Sequence, residues 1–189
     1  MNPFYDKFPD TVDVNGKSYR IHTDFREFIF LIDLLESDVE DIVMAEAILG
    51  IYKDEIPPDY KQAMNAIADF VTDSEPVENE KDENEDREKK KLISYSKDAP
   101  YIIGDFIRFY HIDLTSCRYL HWKKFQLLLT GLSEDSETKK RIGYRGINPG
   151  KIKNNDERKR IIEIQRRISI EDAEADEGRI GELFGGMME

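Results

Sequence analysis

Residues 73–91 carry nine acids, five bases and a single aliphatic side chain, Val77. A stretch so poor in apolar surface cannot offset the entropy of ordering itself, so it is expected to be a charged mobile linker. Every helical apolar pattern in the chain falls on one side of it or the other. The expected plan is thus an N-terminal lobe over 1–72, the linker 73–91, a C-terminal lobe over 92–170 and an acidic stretch 171–189. The two lobes either stand apart or share one core.

In the first lobe, Val12, Val14, Tyr19 and Ile21 alternate around Asn15-Gly16, a dipeptide that tolerates the positive φ angles of a type I′ turn; a small β-hairpin is expected there. Asp24 is placed to cap a helix that ends near Ser37 and buries Phe25, Phe28, Ile29, Ile32 and Leu35. A second helix runs from Asp38 to about Lys53 with Ile42, Ala45, Ile48, Leu49 and Tyr52 inward. Pro57-Pro58 interrupts it, and a third helix bearing Tyr60, Met64, Ile67 and Phe70 reaches about Val71.

In the second lobe, Asp98 can cap and Pro100 fits the first turn of a helix with Ile102, Ile103, Phe106, Ile107 and Tyr110 on one face. The next helix, from about Ser116 to Thr130, gathers the only tryptophan, Trp122, with Phe125, Leu128 and Leu129, and Leu132 just beyond. Gly131 is suited to stopping it in the left-handed conformation. Acids from Glu134 to Glu137 open a short helix and Lys139 to Arg141 close it, as the macrodipole favours. Gly146 to Gly150 is a turn, and a last amphipathic helix from about Asn155 to Ile170 puts Ile161, Ile164 and Ile168 in register with arginines outside. Glycines 178, 181, 185 and 186 disfavour a further helix, which leaves Ile180, Leu183 and Phe184 exposed. The fold class is mainly α with a minor N-terminal hairpin.

No apolar run reaches the ~18 to 20 residues that cross a bilayer, and the lone cysteine, Cys117, excludes an internal disulfide framework. Both fit a soluble protein of a reducing compartment. Catalytic patterns are missing. Cys117 and His121 stand one helical turn apart with His111 a little upstream, but a zinc site lacks a fourth ligand with fixed geometry, and nothing orients either histidine for a nucleophilic triad. The carboxylates crowd the linker and tail, where they suit solvation better than acid–base work. Gly143 to Gly150 lacks the ending of a phosphate-binding loop. No enzyme activity, metal or cofactor is expected.

The net charge of −12 conceals an asymmetry. Residues 139–167 hold eleven bases against three acids, whereas 171–189 hold seven acids against Arg179. One reading makes the basic segment a nucleic-acid surface, with Arg158 to Arg160 and Arg166-Arg167 on phosphates and Tyr144 available for stacking. The plainer reading makes it the solvated face of a helix beside an acidic competitor.

Several features together resemble a known family. They are the Asn-Gly hairpin and aromatic first helix, the acidic middle, the segment Leu120-His121-Trp122-Lys123-Lys124-Phe125 through Leu129-Thr130-Gly131-Leu132, and Gly143-Tyr144-Arg145 before a basic helix. Over roughly residues 5–170 the chain resembles small tail-module proteins of long-tailed phages and prophages of Gram-positive bacteria. The resemblance implies a gene beside that of the tape-measure protein, the position of tail-assembly chaperones. Such chaperones coat the tape-measure protein in the host cytoplasm while the tube polymerises, and are absent from the finished particle. The implied partners are the tape-measure protein and a neighbouring tail-assembly protein. The family-defining positions, Trp122, Phe125, Leu129, Gly131, Leu132, Tyr144 and Arg145, are read mainly as structural, and no contact role transfers with them. Arg141, Arg158, Arg166, Arg167, Leu183 and Phe184 are the candidate partner contacts.

Overall fold

The computed structural model describes residues 7–37, 39–72 and 91–170. The expected linker, apart from Lys91, and the acidic stretch 171–189 lie outside the described residues. Strands β1 (Thr11–Val14) and β2 (Lys17–Arg20) pair antiparallel, Thr11 opposite Arg20 and Val14 opposite Lys17. Asn15 and Gly16 take φ of 52° and 80°, the positive values the tight turn requires. Seven α-helices complete the fold among the described residues: α1 (Phe25–Leu35), α2 (Asp41–Leu49), α3 (Tyr60–Thr72), α4 (Ala99–Tyr110), α5 (Trp122–Thr130), α6 (Glu137–Gly146) and α7 (Asn155–Arg167). The fold is mainly helical with a small hairpin, as the sequence implies.

The two helical sets share one core. Phe70 of α3 packs on Phe28 of α1, Phe28 stacks on Trp122 at 5.4 Å between ring centroids, and Trp122 stacks on Phe125 at 5.7 Å. Phe125 in turn stacks on Phe25 at 4.9 Å and on Phe106 of α4 at 5.3 Å. This aromatic run crosses from the residues before position 73 to those after 91. Backbone bonds reinforce it: the Trp122 amide donates to Thr23 O and the Phe25 amide to Leu120 O, so α1 and α5 start side by side. Lys123 of α5 is buried and donates to Phe70 O at 2.5 Å, placing a cation on the C-terminal carbonyls of α3.

Several local expectations yield to these long-range demands. Helix α5 begins at Trp122 rather than near Ser116, because Ser116 and Cys117 close a turn on Asp113 O and His121 is bridged to Asp24. Its end is not left-handed: Gly131 has φ −78°, and a Cβ there would be a tight fit, 3.2 Å from Leu127 O and 3.4 Å from the Tyr110 hydroxyl. The left-handed cap belongs to His111, at φ 55°, behind α4. Helix α6 starts three residues later than expected and runs on through Tyr144 and Arg145, so Lys139 to Arg141 sit in its first half. Its first amides are capped by Ser136 and, from across the fold, by the buried Asp105 of α4, whose carboxylate accepts from Glu137 at 3.2 Å and Thr138 at 2.8 Å. Helix α2 is shorter than expected, with Ile42 outside; Leu35 and Tyr60 are also exposed, while Leu31 and Ala63 take the buried positions. Both faces of α2 are apolar, which blurred its inward side.

Asp98 is the largest departure. It makes no side-chain cap on α4. Its buried carboxylate instead receives Arg145 in a bidentate pair, Nη1 to Oδ2 at 2.6 Å and Nη2 to Oδ1 at 2.8 Å, and the Ser94 amide at 3.1 Å. Arg145, only 4% exposed, also donates to Leu92 O at 3.0 Å and Ile168 O at 2.8 Å. One guanidinium therefore ties the segment entering α4, helix α6 and the end of α7. A buried carboxylate takes a charge-assisted partner in preference to a weaker neutral cap.

His121 caps α5. Its Nδ1 accepts the Lys123 amide and its Nε2–H donates to Pro9 O, both at 3.1 Å, which fixes the neutral tautomer. Burial, aided by nearby Lys123, holds its pKa below the usual 6.5.

These contacts have measurable consequences. Arg145→Ala strands a buried carboxylate and should cost about 3–5 kcal/mol in urea unfolding. Arg145→Lys should recover little of it, since an ammonium cannot form the planar fork, and the joint Asp98→Leu/Arg145→Met change should be milder than Arg145→Ala. For His121, the unfolded imidazole takes a proton more readily than the folded one, so its contribution is whole above pH 6.5 and is lost as pH falls through the depressed folded value. Melting temperature should drop between pH 7 and 5, and His121→Asn, which keeps a cap acceptor, should flatten that drop; an unchanged slope would count against this assignment.

Candidate functional site

An open apolar groove of about 400 Å³ lies between α1 and α4. Helix α1 rests on α2 and α5, and α4 rests on α6, so the facing stripes of α1 and α4 are held apart over α5. One wall carries Phe25, Ile29 and Phe30; the other carries Ala99, Ile102 and Ile103; Phe125 of the aromatic core forms part of the floor. Leu114 closes one side. Phe30 is 60% exposed, and Ile29 and Ile103 are half-buried.

Polar bonds brace the groove at two levels. At the start of α1, Arg26 pairs with Asp24 and donates to Leu114 O at 3.0 Å and Cys117 O at 2.7 Å. Two turns further on, Asp33 accepts from the Ser96 hydroxyl at 3.0 Å, linking α1 to the segment before α4. From residue 26 to 33 a helix rises about 10 Å. The groove thus offers two turns of apolar wall. The charged groups at its rim are engaged within the chain, so an occupant is selected by apolar shape more than by charge.

Of the sequence-identified residues only Phe125 reaches the groove, as part of its floor; the others among the described residues fall elsewhere. Trp122 and Phe125 are 1% and 0% exposed, Leu132 is buried and Leu129 half-buried. The Tyr144 carbonyl accepts from Gln165 of α7, which anchors α7 on α6. Arg141 lies over the Tyr101 ring at 3.4 Å from its centroid, so it packs within the fold. Arg158, Arg166 and Arg167 are exposed on α7; Arg158 bonds Asn155, and Arg167 pairs with Glu163 at 2.5 Å. The basic segment is accordingly divided between buried, stacked and solvated cations. Leu183 and Phe184 lie outside the described residues. Among those described, no group of three or more His, Cys, Asp and Glu side chains is placed to hold a metal ion. His121 already uses both ring nitrogens.

The groove residues Ile29, Phe30, Ile103 and Leu114 were not legible as a site. The signal available was excess: Phe28 to Ile32 is apolar at five successive positions, more than one buried helical face can absorb.

Among the described residues, no helix is long and apolar enough to cross a membrane. Comparison with curated proteins and with solved structures gives no match. Residues 4–170, which include every element described above, match the family described as Bacteriophage Gp15 protein. The chain belongs to this bacteriophage protein family.

Proposed function

We propose that the protein is a non-catalytic tail-assembly chaperone that seats a helical segment of the phage tape-measure protein in the groove between α1 and α4. The groove carries this reading: it is apolar, open and two helical turns long, the shape that receives the i, i+3, i+4 anchors of an amphipathic helix. Membership of a phage family supplies the context. The rim charges are bonded within the chain, which suits holding a polypeptide better than transforming a small molecule. Burying two or three aliphatic or aromatic anchors gains roughly 4–8 kcal/mol before ordering costs, so each contact is weak and reversible. A chaperone that leaves before the tube closes needs that weakness. The exposed Leu35, Ile42 and Val43 at the α1–α2 corner offer a second surface for a neighbouring tail-assembly protein.

Co-expression with tagged helical fragments of the tape-measure protein tests the reading. Phe30→Glu should lower binding at least ~10-fold, the loss of one anchor, while leaving the circular-dichroism melt unchanged because Phe30 is mostly exposed. Retention of full binding by the variant would refute the groove as the docking site. The protein should be detected by mass spectrometry in infected-cell lysate and be missing from purified virions.

A further inference from the structure

We propose that the groove has a resident occupant, the segment from Ile180 to Met187 of the chain's own acidic C-terminal stretch, which fills it until a partner helix displaces it. As regulation this rests on the groove being the docking site; as occupancy it stands on the point where the chain leaves the described structure and on the sequence beyond Ile170.

The exit point is at the rim. The Ile170 carbonyl accepts from Lys97 Nζ at 2.9 Å, and Lys97 adjoins Ser96, with Ala99 two residues on, both lining the groove. Arg145 holds Ile168 O just before it. The length is sufficient: Ile180 lies ten residues beyond Ile170, a reach of up to ~33 Å when extended, against a groove ~10 Å long that begins beside the tether. The composition matches as well. After the acids Glu171 to Glu177, the large apolar side chains are Ile180, Leu183, Phe184, Met187 and Met188, and the first four stand at i, i+3, i+4 and i+7, the pattern by which a helix engages an apolar groove. Glycines 178, 181, 185 and 186 keep such a helix weak on its own, so it would form on the groove and leave readily. The acids Glu171 to Glu177 follow directly on the carbonyl held by Lys97.

A short tether gives an effective concentration of ~1 mM, so a segment with an intrinsic Kd of ~0.1 mM would fill about nine grooves in ten and weaken a competing helix ~10-fold. The rival occupants are the same segment of a second copy and the partner helix alone.

The full chain, labelled at isoleucine and leucine methyl groups, is compared by NMR with its Leu183→Ser/Phe184→Ser variant. The methyl signals of Ile29, Ile103 and Leu114 should shift between the two, independently of protein concentration, and the variant should bind a tape-measure fragment ~10-fold more tightly. Superimposable methyl spectra would overturn the proposal and leave the docking site standing. A shift that disappears on dilution would overturn it in favour of a second copy. A concentration-independent shift with unchanged fragment affinity would uphold occupancy and remove the groove as the partner's site.

Discussion

Phe28 stacked on Trp122 joins two stretches of chain that residues 73–90 keep far apart in sequence, and most other features of the structure depend on that junction. Aromatic pairs of this kind add roughly 0.5–1.5 kcal/mol each beyond the area they bury. The run from Phe70 through Phe28, Trp122 and Phe125 to Phe106 contains four such pairs, enough to hold α1 and α5 in fixed register. The groove is a by-product of that register. With Phe25 and Phe125 stacked, α1 is lifted beside α5, and α4, held to α6, cannot close the gap.

Arg145 and Asp98 perform a different task. The aromatic run is apolar and tolerant in direction, whereas a bidentate ion pair fixes position and angle. Because the guanidinium also reaches Leu92 O and Ile168 O, it pins the chain at the point where it returns after residue 90 and near where it departs at Ile170. The position of the described chain's end at Ile170 is therefore set in part by a buried charge pair at the start of α4.

Local chemistry was legible in the sequence and tertiary chemistry was not. Asn15-Gly16 requires its turn wherever it stands, Asp24 caps the residues next to it, and Ile161, Ile164 and Ile168 show their inward face by spacing alone. Asp98 is placed equally well for a cap, and only the folded chain reveals that Arg145, 47 residues away, claims it. Asp105 capping a helix that starts 32 residues later leaves no local trace either. Gly131 reads as a left-handed helix stop from sequence, yet its φ is −78° and what crowds it is the Tyr110 hydroxyl and the backbone of its own last turn. The groove eluded sequence reading for the same reason: its walls come from α1 and α4, and neither stripe declares which part of it another helix will cover.

A site with no charge selectivity of its own must obtain specificity elsewhere. Two turns of apolar wall admit any amphipathic helix, so discrimination has to come from contacts outside the groove or from competition within it. The exposed α1–α2 corner is suited to the first, and a tethered segment carrying the same anchor spacing is suited to the second. Competition raises the affinity that an incoming helix must reach without adding any contact, and it shields Phe30 and Ile103 from other molecules when no partner is present. For a chain with a net charge of −12, an apolar groove left open would be the point at which self-association begins, and intramolecular cover would remove that hazard at the cost of the same ~10-fold in partner binding.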